Sequence, residues 1–254
     1  HLETLLKSTK KTLVSLMHIN NEIGTILDIQ KVAELCQANN VLFHSDTVQS
    51  VGHYHIDVKE TPIDFLVASA HKFHGPKGVG FAFIRKNSGL KSLIIGGTQE
   101  RGIRAGTESI HDIVGLDESL ALSYQFLEVE NAQVRDLKSY FISELTTHIP
   151  GIKFNGACSD SEISTYTLVN ICLPVSATSA PMFLFQLDLK GIACSKGSAC
   201  QSGSGKGSHV LAEILKEEDM KRPSIRFSFS IYNTKKEVQS VVSILKELVN
   251  EANS

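Results

Sequence analysis

Four short apolar runs in the first third of the chain, at residues 12–17, 41–44, 65–69 and 79–84, set the narrowest limit on the fold. Runs of this length and composition read as strands buried on both faces. Between the first two, Ile29, Val32, Ala33 and Leu35 recur at helical spacing, with Asp28 placed as a helix cap. A strand, a helical crossover and a second strand make a unit with parallel strands, so an α/β fold with a mostly parallel sheet is expected. The turn Gly75-Pro76-Lys77-Gly78 feeds the fourth run.

The rest of the chain reads differently. Residues 96–106 are rich in glycine and break the pattern, and a long helical stretch follows from about Ile113 to Ile149, closed by Pro150-Gly151. A domain change is expected inside it, giving a large domain over 1–127 and a smaller α+β domain over 128–254. In the second part, residues 164–173 and 224–230 read as strands. Residues 234–250 read as the clearest helix, opened by a capping box of Thr234 with Glu237 and carrying an apolar face from Val238 to Val249. Residues 197–208, rich in Gly and Ser, read as a mobile loop.

Composition excludes several classes. With 25 Lys and Arg against 27 Asp and Glu, the net charge is near -2, and no basic excess points to a nucleic-acid partner. No apolar run is long enough to span a membrane, and no signal peptide is visible at the start; the cytoplasmic setting is expected from the cysteines. The five cysteines, Cys36, Cys158, Cys172, Cys194 and Cys200, show no Cys-x-x-Cys spacing, which reads as reduced thiols and no structural zinc site. Cys36 and Cys172 sit in apolar patterns and are read as buried core. Five histidines between 44 and 74 fit no metal-ligand spacing. His53 and His55 among them read as ordinary polar residues, and no resident metal is expected.

Asp46 falls near the carboxyl end of the second run and Lys72 just past the end of the third. Open α/β sheets bind ligands at the carboxyl ends of their strands. An acid and a lysine presented there suit pyridoxal phosphate, which takes a lysine for its Schiff base and an acid to keep its ring nitrogen protonated. The bland alternative for such a pair is a surface ion pair.

Longer motifs sharpen this. Ser69-Ala70-His71-Lys72 with Gly75-Pro76-Lys77-Gly78 resembles the lysine signature of the class V aminotransferases, and residues 44–49, His-Ser-Asp-Thr-Val-Gln, resemble their aspartate signature. Residues 17–24 resemble the strand-end segment that precedes it. Residues 97–107 resemble the segment that reaches the phosphate of the neighbouring subunit. Residues 194–203, around Cys200, are similar to the catalytic loop of the NifS/IscS-like cysteine desulfurases, and residues 224–228 to the segment whose Arg grips the substrate carboxylate. The resemblance runs from about Leu13 to the C-terminal helix.

This resemblance implies a fold-type-I pyridoxal-phosphate enzyme that takes sulfur from L-cysteine, releases L-alanine, and passes the sulfur to an acceptor such as an iron–sulfur scaffold protein. It implies these roles. Lys72 binds the cofactor and moves protons, Asp46 pairs with the pyridinium nitrogen, and Gln49 meets the phenolic oxygen. Asn21 positions ring and substrate. Ser69 and His71 hold the phosphate, His71 lying within the catalytic lysine motif, with Thr107 contributing from the partner subunit of a homodimer. Arg226 holds the substrate carboxylate. Cys200 carries the persulfide, and is the one candidate for a passing iron–sulfur contact.

Thr47 and Val48 depart from the family's usual small residue followed by Thr, Ala or Ser. The family's chains also run more than a hundred residues further at the front, where a Gly-rich phosphate loop and a ring-stacking His lie, so the large domain is expected to be partial. Two rivals remain open on the sequence: a selenocysteine lyase-like class V enzyme, and an inactive fragment or interaction module. Ser69-Ala70-His71-Lys72 also spells S-x-x-K without its companion motifs, and the Gly203–Gly207 stretch lacks the Ser or Thr of a phosphate loop.

Overall fold

The computed structural model describes residues 1–7, 10–176, 180–196 and 207–254. The chain divides into two compact units, His1–Ile19 with Leu27–Leu127, and Asn20–Ile26 with Glu128–Ser254.

In the first unit, α1 (Leu2–Leu5) precedes β1 (Leu13–Met17), α2 (Ile29–Ala38), β2 (Leu42–Asp46), β3 (Phe65–Ser69), β4 (Gly80–Ile84) and α3 (Ile110–Gln125). The sheet order is β1-β2-β3-β4. β1, β2 and β3 run parallel, and β4 is antiparallel to β3. The fourth strand reverses because the Gly75–Gly78 turn is too short for a crossover. Asp28 caps α2 through the Lys31 amide at 3.0 Å, and α2 buries Val32, Ala33 and Cys36 against Val14, Phe43 and Leu66 of the sheet. A smaller cluster, Val51, Ala68, Ala70 and Phe73, packs with Leu116 and Leu120 of α3. The strands are less covered than their composition suggests. In β1 only Val14 is buried: Leu13, Ser15 and Met17 lie on the sheet face opposite α2, and Leu16, on the same face as Val14, is exposed as well.

The second unit contains most of α4 (Leu127–His148), then β5 (Lys153–Phe154), β6 (Leu168–Cys172), α5 (Ala180–Leu189), α6 (His209–Ile214), α7 (Glu217–Met220), β7 (Ser224–Ser228) and α8 (Lys235–Asn253). Its sheet, β5-β6-β7, is antiparallel throughout. Every residue of β6 is buried. Leu137, Phe141 and Leu145 of α4 meet Val238, Val242 and Leu245 of α8 in one core, where Phe141 lies edge-on to Phe227 and Phe229 at 5.2 and 5.4 Å. The capping box of Thr234 and Glu237 is formed. The expected single helical stretch is two helices, broken at Phe126, where the backbone leaves helical geometry.

A division at 127 alone keeps residues 20–26 with the first part. Here they pack in the second unit: Thr25 bridges Ser164, the Thr165 amide donates to Gly24 O at 2.8 Å, and the Ile26 amide donates to Ile163 O at 2.9 Å. A backbone pairing of such long separation leaves no mark on local composition. Cys36 and Cys172 are buried, as their surroundings led one to expect. Among the described residues, no helix is long and apolar enough to cross a membrane.

Candidate active-site residues

Within the first unit, strand register brings the sequence-picked residues to one edge of the sheet. Met17 pairs with Asp46, and Asp46 with Val67, so Asp46 closes β2 level with β3, and Ser69 stands two residues further on the same face. Lys72 follows in a 3-10 turn, Ala70–Phe73, between Ser69 and His74. His74 adopts a left-handed backbone with φ 65°, which stops the turn.

These positions are held locally. Asp46 Oδ1 accepts from the Val48 amide at 3.0 Å, and Asp46 O accepts from the His18 amide at 2.9 Å. Thr47, one of the two departures from the family pattern, is buried and donates its hydroxyl to Val67 O at 2.7 Å, which pins the end of β2 to β3. Gly52, at φ 80°, lets the chain pass Phe73: a Cβ there would stand 2.6 Å from Phe73 Cβ. His53 Nε2 donates to Lys72 O at 2.9 Å, and burial pushes the imidazole pKa down, which keeps it a neutral donor. His53 was read from sequence as an ordinary polar residue, yet it fixes the lysine turn. Nothing in its surroundings marks a contact made across the fold.

Asp46 Oδ2, the Gln49 side-chain amide, the Ser69 hydroxyl and the His71 ring engage no described residue, and all four side chains are at least partly accessible. An acceptor oxygen, a neutral amide, a hydroxyl and an imidazole beside a lysine are the donor and acceptor set that a pyridinium nitrogen, a phenolic oxygen and a phosphate require. The residues present fit pyridoxal phosphate. Thr107 is exposed and lines a cavity of about 970 Å³ walled by β4 and residues 100–113. Asp46, Gln49, Ser69 and Lys72 are not on its walls. On the way to Thr107 the chain passes through Glu100 and Arg101, both left-handed at φ 48° and 56°.

Asn21 and Arg226 belong to the second unit. Arg226 is the central residue of β7, paired with Asn170 in β6. Its amide and carbonyl bond Ser195 O and N at 2.7 and 3.1 Å. Arg226 Nη1 donates to Asn21 O at 2.5 Å. Burial lowers the Arg226 pKa, and the carboxylate of Glu22 works against that shift. Cys200 and residues 203–206 lie outside the described residues, as does most of the expected loop. Burial raises the pKa of Cys36, Cys158, Cys172 and Cys194, and pushes Cys194 up to about 11 with help from Asp188. All four thiols are therefore held protonated at neutral pH. Glu22, which follows Asn21, is bonded by Asn170 and Ser208, and these contacts carry no sequence signal because the partners are more than a hundred residues distant.

A mostly parallel sheet that presents an acid and a lysine from neighbouring strand ends, followed in sequence by an antiparallel α+β unit, is consistent with the α/β fold of the fold-type-I pyridoxal-phosphate proteins. The chain belongs to the aminotransferase class V family, whose pattern matches residues 1–241. Members of this family are pyridoxal-phosphate dependent. Among its relatives, the chain is 38% identical over 239 residues to the cysteine desulfurase IscS of Dictyoglomus turgidum, covering 94% of this chain and 59% of that protein. It is 39% identical over 239 residues to the IscS of Clostridium botulinum, with the same coverages. A NifS-like protein from Rickettsia africae superposes with a TM-score of 0.85 at 29% identity, over 98% of this chain and 66% of that one. The chain thus spans about 59% of the length of the curated relatives it matches.

Proposed function

We propose that this chain carries the cofactor- and substrate-handling residues of a cysteine desulfurase, which converts L-cysteine to L-alanine and passes the sulfur, as a persulfide on Cys200, to an iron–sulfur scaffold protein. The observation that carries this reading is the placement of Asp46 and Lys72 at the carboxyl ends of β2 and β3, with Gln49 and Ser69 unengaged beside them. Bound pyridoxal phosphate supplies an electron sink for the substrate's carbon skeleton. Asp46 holds the proton on its ring nitrogen, Gln49 donates to its phenolic oxygen, and Ser69 and His71 donate to its phosphate. Lys72 binds the cofactor and moves the proton at the substrate Cα. Arg226 offers a two-pronged fork to the substrate carboxylate, beside Asn21.

The sulfur step balances on the protein. Cys200 Sγ attacks the substrate sulfur as the Cβ–S bond breaks. That bond's electrons stay with the carbon skeleton, which takes up protons and leaves as alanine. Cys200 is the nucleophile that the motif match names, and burial disfavours the thiolate form of the four other cysteines.

Thr107 is read as acting from the partner subunit of a homodimer. In support, it sits apart from Lys72 on its own cavity, and nearby apolar side chains stand in the open, Leu93 at 94% and Ile95 at 83% exposure. Irregularly spaced thiols support a reducing, cytoplasmic setting. The test supplies the full-length protein with pyridoxal phosphate and L-cysteine and measures alanine, sulfide and persulfide. Cys200→Ala should keep the visible absorbance of the bound cofactor and form no persulfide. Release of sulfide at the parent rate by that variant overturns the mechanism.

A further inference from the structure

The second unit buries an ammonium that no step above uses. Lys138, on α4, is 5% exposed, and a charge so placed is tolerated only where it is hydrogen-bonded. Its Nζ donates to Ser164 Oγ at 2.8 Å and to Thr165 O at 2.7 Å. Ser164 Oγ in turn donates to Asp160 O at 2.5 Å. Burial pushes the Lys138 pKa down to about 8, so the charge is kept here at a cost. Arg135, one turn earlier on the helix, is only half-buried. It reaches the other end of the same loop, donating from Nη1 to Ser161 O at 3.1 Å.

The two residues that Lys138 holds are the ones on which the Asn21 turn rests. Thr25 bridges Ser164, and the Thr165 amide donates to Gly24 O at 2.8 Å. The turn is closed on itself. The Asn20 amide donates to Thr25 O and the Gly24 amide to Asn20 O, each at 2.9 Å. Asn20 Oδ1 accepts from the Glu22 and Ile23 amides at 2.9 and 3.1 Å. On the other side of the turn, Asn21 O accepts from Arg226 Nη1 at 2.5 Å. The side chain of Asn170, the β6 residue paired with Arg226, donates to Glu22 O at 2.9 Å. One side of the turn thus meets the arginine, and the other rests on residues that Lys138 bonds.

We propose that Lys138 is a positioning residue for the substrate carboxylate: by fixing Ser164 and Thr165 it holds the Asn20–Ile26 turn, and through Asn21 O the guanidinium of Arg226. Its kinetic consequence rests on the desulfurase reading, whereas the anchoring has a physical readout that needs no turnover.

Full-length, cofactor-loaded protein is compared with Lys138→Met, which keeps an apolar stem of similar length and removes both donated bonds. Without substrate, amide hydrogen exchange at Thr165 and Ile26 should quicken roughly tenfold, the worth of one hydrogen bond to a charged group. Amides inside α8 should not quicken. Ser164→Ala removes one of the two bonds without altering α4, so it should quicken the same amides to a smaller degree, and it decides the point if Lys138→Met does not fold. In steady state, Lys138→Met should raise KM for L-cysteine several-fold and leave kcat and the visible absorbance of the cofactor at parent values. Arg135→Met, which frees only the Ser161 end of the loop, should keep the parent KM. Parent-rate exchange at Thr165 and Ile26 in both variants of the Lys138–Ser164 pair overturns the anchoring. An unchanged KM in Lys138→Met, or an equal rise in Arg135→Met, overturns the link to Arg226. A parent protein that forms no persulfide defeats the desulfurase reading instead, while the exchange rates still decide the anchoring.

Discussion

The two units place their candidate site residues by opposite means. In the first, Asp46, Ser69 and Lys72 stand at strand ends, and the bonds that set Asp46 reach two residues along the chain or across one strand pairing. In the second, Arg226 meets Asn21 across 205 positions, and Glu22 meets Ser208 across 186. The cores differ in the same sense. The first unit has two modest clusters, one under α2 and one at the strand ends, while the second gathers α4, α5, α8 and its sheet into one continuous core. Strand-end geometry can offer polar groups to a ligand at the sheet's edge. A guanidinium in a half-buried strand needs a built surrounding, because each polar group removed from water must find a partner.

The largest expected effects divide chemistry from binding. Lys72→Ala in the first unit should cut turnover by roughly 10⁴-fold or more and abolish the visible absorbance of the lysine-linked cofactor. Arg226→Lys in the second, which loses the two-pronged fork, should act mainly on KM for L-cysteine. Steady-state kinetics on the full-length protein check both, and a kcat loss for Arg226→Lys equal to that for Lys72→Ala would break the division.

Core truncation comes next. Phe141→Ala should cost about 3–5 kcal/mol, read from denaturant unfolding. Hydrogen exchange should then speed up across β6 while β2 keeps its protection. Equal loss in both sheets would mean that the two units unfold as one.

Acid should single out the first unit. Burial holds His18 neutral, with a pKa lowered from 6.5 to about 4. As pH falls below 6.5 the unfolded chain takes up this proton and the folded one refuses it until about 4. Stability therefore drops across that window, by up to about 3 kcal/mol. His18→Gln should flatten this acid limb in a urea-midpoint series against pH. The smallest effects are the helix caps. Asp28→Ala on α2 and Thr234→Ala on α8 should each cost about 1 kcal/mol, and thermal melts that separate the two variants by much more would show one helix to depend on its cap unequally.

What could be read from the sequence follows the same divide. Asp28 as a cap, Asp46 and Lys72 at strand ends, and the capping box of Thr234 are all set by neighbours a few residues away, so spacing alone exposed them. The antiparallel β4, the helix break at Phe126 and the packing of residues 20–26 in the second unit were not readable, since each depends on what the segment packs against.

The sequence by itself determined the α/β pattern, the order of the motifs and the residue types at the candidate site, because strand and helix periods and short turn motifs are local properties of a chain. Only the tertiary structure decided that His53 fixes the lysine turn, that Thr47 pins β2 to β3, and that Glu22 joins Ser208. Those roles come from buried polar groups finding partners at long range, and such a partner is chosen by the folded backbone, not by the residues next to it.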